Sequence, residues 1–157
     1  MERRTGLQRY TPLTSKSRLN AEGKSDSAKV KRDIQAELRR IVIARDGGCI
    51  LRGSYDAPAC GGFDKDDNLI LQADHLITRA NSATFADPRL VVCVCKAHHG
   101  WKSIGGNARK AEYDKLVRTL LPPDRVELWN KCERDSWKPV RTSSTDWRIE
   151  LAYLRTQ

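Results

Sequence analysis

All three histidines of the chain, His75, His98 and His99, lie within residues 75–99, and four of its five cysteines, Cys49, Cys60, Cys93 and Cys95, sit in or just before that window. Thiols and imidazoles are the side chains zinc prefers, and a structural zinc takes four of them in a tetrahedron, usually from two short knuckles. Cys95 and His98 are three residues apart, so one turn can present both donors. Cys49 and Cys60 supply the second pair across ten intervening residues, a wider gap than usual. The spacing therefore predicts a structural zinc held by Cys49, Cys60, Cys95 and His98. The alternative is a set of buried thiols that hold the same loops by packing. Cys93, inside the apolar run Leu90-Val91-Val92-Cys93-Val94, and Cys132, at a helical spacing, read as core.

That reading assumes reduced thiols. The first residues, Met1-Glu2-Arg3-Arg4, lead into no apolar run. No stretch approaches the roughly 18–20 apolar residues that cross a bilayer. The expectation is a cytoplasmic protein with no membrane partner, in which cysteines are thiols or metal ligands before they are disulfides. With 157 residues, 39% hydrophobic and 31% charged, the chain is a folded domain with appendages, not a disordered one.

The second constellation is harder chemistry. Asn68 to Leu76 reads as a strand ending on Asp74-His75, which puts a carboxylate and an imidazole on opposite faces. Residues 90–94 read as a second, buried strand, and a helix begins near Lys96 and runs to Gly105-Gly106. Asp74 and His99 could hold a divalent ion against a phosphate oxygen, leaving His75 as general base on a water. Lys102, three residues after His99, shares its helix face and could contact phosphate. Each residue alone has a bland reading as a turn, core or surface group; the pattern argues for them jointly.

Around this window the chain is helical. Val30, Ile34, Leu38, Ile41 and Val42 predict a helix over about 28–45, stopped by Asp46-Gly47-Gly48. Residues 49–67 read as loop. Ala111, Leu116, Val117, Leu120 and Leu121 predict a helical face that Pro122-Pro123 ends. Asp124 could cap a helix over 125–134, and Thr145 or Asp146 a last one carrying Trp147, Leu151 and Leu154. The division is a basic flexible arm over 1–27, a zinc-bearing core over 28–107 and a helical extension over 108–157.

Charge favours a polyanionic partner, and by itself does not separate nucleic acid from an acidic protein. Residues 1–32 hold nine basic and three acidic residues, a net +6 of the chain's +9. Such an arm, with Arg3, Arg4 and Arg9 at its start, suits sequence-independent phosphate binding on DNA, duplex or branched. Arg79 and Arg89 flank the two strands and could clamp the backbone. Nothing reads as a base-reading helix, so weak sequence preference is expected. Trp101 is the tryptophan placed to stack on a base; Trp129, Trp137 and Trp147 read as core.

Three stretches carry a resemblance: Ala73-Asp74-His75-Leu76-Ile77, then Asp87-Pro88-Arg89-Leu90-Val91-Val92, then Cys95-Lys96-Ala97-His98-His99-Gly100-Trp101-Lys102. In order and spacing this resembles the HNH, or ββα-metal (His-Me finger), endonucleases of phage and prophage. A weaker likeness, carried by residues 101–107 and Tyr113, is to the lambda-type NinG/Rap recombination nucleases. The resemblance implies an α+β protein with a small ββα-metal core and zinc knuckle, preceded by a helix and followed by a helical tail. It implies His75 as base, Asp74 and His99 as ligands of one divalent ion (Mg2+ or Mn2+, alternatively Ni2+ or Zn2+), and Lys102 as phosphate contact. His98 stands where the family has its second cysteine. Leu90 stands where the middle asparagine falls, and Asn81 lies in the loop before it. The implied activity is hydrolysis of DNA phosphodiester bonds in phage recombination or processing, in the host cytoplasm. A homodimer would allow both strands to be cut. The rivals are a zinc-stabilised DNA-binding module without catalysis and a phage assembly protein.

Overall fold

The computed structural model describes residues 14–77, 84–135 and 144–157, the side chains at 14–25 and 144–145 excepted. Arg3, Arg4, Arg9, Arg79, Asn81 and Trp137 lie outside the described residues. The class is α+β. The described elements are helix α1 (Thr14–Asp46), strand β1 (Leu71–His75), strand β2 (Val91–Cys95), and helices α2 (Lys96–Ile104), α3 (Gly106–Leu120), α4 (Pro123–Asp135) and α5 (Ser144–Leu154). No helix among the described residues is long and apolar enough to cross a membrane.

β1 and β2 form an antiparallel pair in which Asp74 faces Val92 and His75 faces Val91. Side chains alternate across a strand, so the ribbon has two faces, and both are covered. On one side α1 lays Val30, Ile34, Leu38 and Val42 against Val91 and Cys93, joined by Phe85 and by Trp147, Leu151 and Leu154 of α5. On the other, Val92 and Val94 meet Leu76, Leu90, Tyr113, Val117 and Leu121, closed by Trp129 of α4. Burial on both faces explains why β2 is apolar at all five positions instead of alternating.

Several expected boundaries move. α1 begins at Thr14, well before residue 28, so the second half of the stretch expected to be an arm is helix. The chain there lacks apolar periodicity, and its helical continuation is polar. β1 is shorter than 68–76, because Leu69 leaves the ladder to bridge Phe63. β2 starts one residue later than expected, Leu90 closing a 3-10 turn (Pro88–Leu90) capped by the Asp87 carboxylate. On α3 the buried line is Tyr113, Val117 and Leu121, four apart, while Ala111 and Leu120 face solvent. The tyrosine, which a count of aliphatic residues leaves out, sets that face. Asp124 and Asp146 lie inside the first turns of α4 and α5, two and three residues past the capping position expected of them.

Two guanidinium groups fix the entry to β2. Arg45 donates to the carbonyls of Pro88 and Val91, both at 2.7 Å, and Arg125 to those of Arg89 and Val91, both at 2.9 Å. Asp46 beside them pairs with Arg45 and accepts the Cys93 N–H at 2.8 Å.

Candidate functional site

The loop after α1 turns back on itself through bonds from Arg52 N–H to Cys49 O and Ser54 N–H to Leu51 O. It then crosses the start of α2, where Ala97 N–H reaches Gly61 O. Gly62 sits there at φ +83°, and a Cβ on it would stand 2.6 Å from that of Lys96. Glycine is required on both counts. This crossing brings Cys60 beside Cys95 and closes the ten-residue gap.

The Sγ atoms of Cys49 and Cys95 each lie 3.2 Å from His98 Nδ1, and that of Cys60 lies 3.9 Å away. One ligand atom from each of the four residues falls within 4.8 Å of the other three. A tetrahedral zinc with thiolate and imidazole ligands sets its ligand atoms roughly 3.5–3.8 Å apart, so the donor set fits. His98 Nε2 donates to the Pro58 carbonyl at 2.6 Å. That bond puts the ring's lone pair on Nδ1, toward the sulfurs, just as a carbonyl bonded to the far nitrogen orients a metal-bound histidine. Burial pushes the Cys49 thiol up to about 12 and raises Cys60 as well. At Cys95 burial pushes up too, but N–H donors at Gly61 and His98 outweigh it and lower the value. Three thiols gathered around a lone pair, with Cys95 shifted toward the thiolate, suit a cation. Cys93 and Cys132 stay outside the cluster: Cys93 is fully buried between α1 and the sheet, and Cys132 packs half-buried against the other core.

One turn along α2 from Cys95, the side chains of His99 and Lys102 reach Asp74 at the end of β1. His99 Nε2 lies 3.5 Å from Asp74 Oδ1. Asp74 Oδ2 accepts from Lys102 Nζ at 2.8 Å and from Tyr113 OH at 2.7 Å. Lys102 also donates to the His75 carbonyl at 3.1 Å. Burial, then the neighbouring Asp74 charge, holds the Tyr113 phenol well above its usual range, so it stays a donor. Two donors thus fix one carboxylate oxygen, and the other is turned to His99. Two of the three N–H groups of Lys102, the residue expected on phosphate, are committed to Asp74 and the His75 carbonyl.

His75 leaves β1 on the opposite face. Its Nε2 donates to the Phe85 carbonyl at 3.0 Å, and its ring stacks on Phe85 at 5.5 Å. Phe85 in turn meets Trp147 edge-on at 5.3 Å. The bond at Nε2 leaves the ring's lone pair on Nδ1, which is itself buried from solvent. His75 and His99 meet again at the rim of one cleft of about 340 Å3, which runs along residues 70–73 and is walled by Gln35 and Arg39 of α1.

Arg89 is exposed and paired with Asp87 at 2.8 Å. Trp101 is not presented for stacking: it packs edge-on against His98 and Tyr113, with the Arg109 guanidinium 5.4 Å from its ring. Tyr113, Phe85, Gln35 and Arg39 are the site neighbours that spacing did not single out. The one signal for Tyr113 is its place at the head of the line 113, 117, 121. Set beside known proteins, the chain matches no family model, no curated protein and no solved structure.

Proposed function

We propose that the chain is a metal-dependent DNA endonuclease of the ββα-metal kind, with a structural zinc beside its active site. The observation that carries the reading is the convergence of Asp74 Oδ1 and His99 Nε2 at 3.5 Å, with His75 and His99 both on the lining of one cleft. The order β1, β2, α2 agrees with the resemblance, and so does a chain charge of +9.

Asp74 and His99 would hold one divalent ion, which when bound polarises a phosphate oxygen and stabilises the leaving oxygen. In this reading His75 is the general base: Nδ1, which the packing against Phe85 leaves buried from solvent, would take the proton of an attacking water once substrate is bound, and Nε2 would share the imidazolium charge with the Phe85 carbonyl. The water oxygen forms its bond to phosphorus as the P–O bond to the leaving sugar oxygen breaks. Tyr113 and Lys102 are positioning residues that keep Asp74 Oδ1 aimed at His99; the third N–H of Lys102 remains for phosphate. Leu90, the feature that favours a non-catalytic module, is packed in the core at 1% exposure. The turn that an asparagine there would brace is held instead by Arg45, Arg125 and the Asp87 cap.

The test is nicking of supercoiled plasmid with magnesium, manganese or nickel and with chelator, for wild type and His99→Ala, with a branched-DNA substrate in parallel. Cutting that needs the ion and is lost in zinc-loaded His99→Ala supports the nuclease. Folded, zinc-loaded protein that shifts DNA but never cuts would make it a binding module. Protein that does neither would leave the assembly role. Tyr113→Phe gives a finer check. It is expected to cost about 1 kcal/mol in thermal stability and to raise the manganese concentration for half-maximal nicking about 10-fold or more.

A further inference from the structure

From the wall of the cleft we infer that α1 is one bank of the DNA groove and that Arg39 clamps a phosphodiester oxygen beside His75 and His99. The inference rests on the nuclease reading and adds a binding residue to it. Ile34 and Leu38 are fully buried against the sheet. Gln35 and Arg39 each follow one of them, so they stack four residues apart at the border of the buried stripe. Both line the cleft that His75 and His99 share, and Arg39 is the one lysine or arginine on its lining. The rest of that lining is apolar or amide: residues 70, 71 and 73 are Ile, Leu and Ala, and residue 72 is Gln. Arg39 is exposed, and among the described residues its guanidinium lies within ion-pair distance of no carboxylate. This contrasts with Arg45, Arg89 and Arg118, each tied to an acid. Lys102, one turn past His99 on α2, is held by Asp74. A phosphodiester entering this cleft carries one negative charge and two non-bridging oxygens. A guanidinium fork with no acid partner matches that geometry, and the Gln35 amide beside it can donate to the same group.

The test uses full-length, zinc-loaded protein and a fluorescent DNA duplex without added divalent ion, with anisotropy followed over a range of salt. Arg39→Ala is expected to weaken binding about 10-fold and to reduce the slope of log K against log salt by about one. Arg39→Lys is expected to recover the slope but not the full affinity. Lys115→Ala removes the same charge from α3, across the sheet, and is expected to change little. Wild-type affinity and slope in Arg39→Ala, or an equal loss in Lys115→Ala, overturns the clamp while leaving a wild type that nicks DNA as a nuclease. A wild type that neither binds nor nicks removes the nuclease reading and the clamp with it.

Discussion

Cys95→Ser is expected to give a chain that holds no zinc and does not fold stably at room temperature. Cys95 is the cluster residue at the junction of β2 and α2; its sulfur lies 3.2 Å from His98 Nδ1 and its backbone ends the ladder opposite Leu71. Structural zinc contributes about 10–16 kcal/mol to folding in small zinc modules, as much as the whole stability of an ordinary domain. Here it would tie the loop after α1 to the start of α2 across a core with few strands to hold it. Metal analysis should find one zinc per wild-type chain. Circular dichroism should show a melting transition that disappears on zinc removal and returns when zinc is added back. Cys93→Ser is the control. It places a hydroxyl in a dry core and should cost about 1–3 kcal/mol, with the zinc retained. A zinc-free wild type that melts unchanged would mean that packing, not metal, holds the four side chains together.

His75→Ala is expected to lower metal-dependent nicking by about 100- to 10,000-fold, the usual contribution of a general base. The variant also loses the stack on Phe85 and the bond to its carbonyl. Some stability goes with them, about 1–3 kcal/mol. The readout is therefore nicking per folded, zinc-loaded molecule, with DNA affinity measured alongside. Affinity should hold, since the base carries no charge toward phosphate when neutral. Unchanged nicking would assign the proton transfer elsewhere; lost affinity would assign His75 to binding.

The Cys/His cluster was legible because soft ligands are scarce and their spacing is local. Cys95 and His98 announce themselves by a three-residue step, and Asp74-His75 by their place at a strand end. The Cys49–Cys60 partnership was legible only by elimination. What makes it work is the Gly61-Gly62 crossing over α2, a backbone path that no spacing rule encodes. Tyr113 was invisible as a site residue, because its contact with Asp74 spans 39 residues and depends on how α3 lies on the sheet. Arg39 and Gln35 were invisible for the same reason: nothing in their own helix distinguishes them from other polar residues beside the stripe. The early start of α1 was missed because helix over 14–27 carries no apolar stripe to read. Tertiary placement, not composition, decides such cases.

The two-stranded ribbon sets consecutive residues to work from separate compartments. Asp74 takes its place from α2 and α3, on the side of the Cys/His cluster; His75 takes its own from Phe85 and Trp147, on the side of α1 and α5. Neither half alone can assemble the pair. A chain with only one half closed would carry the carboxylate or the imidazole in place, never both. In a nuclease of this build, folding itself would act as a two-key lock: no cutting while the chain is nascent or partly open, and full activity only once both hydrophobic compartments have shut on the same pair of strands.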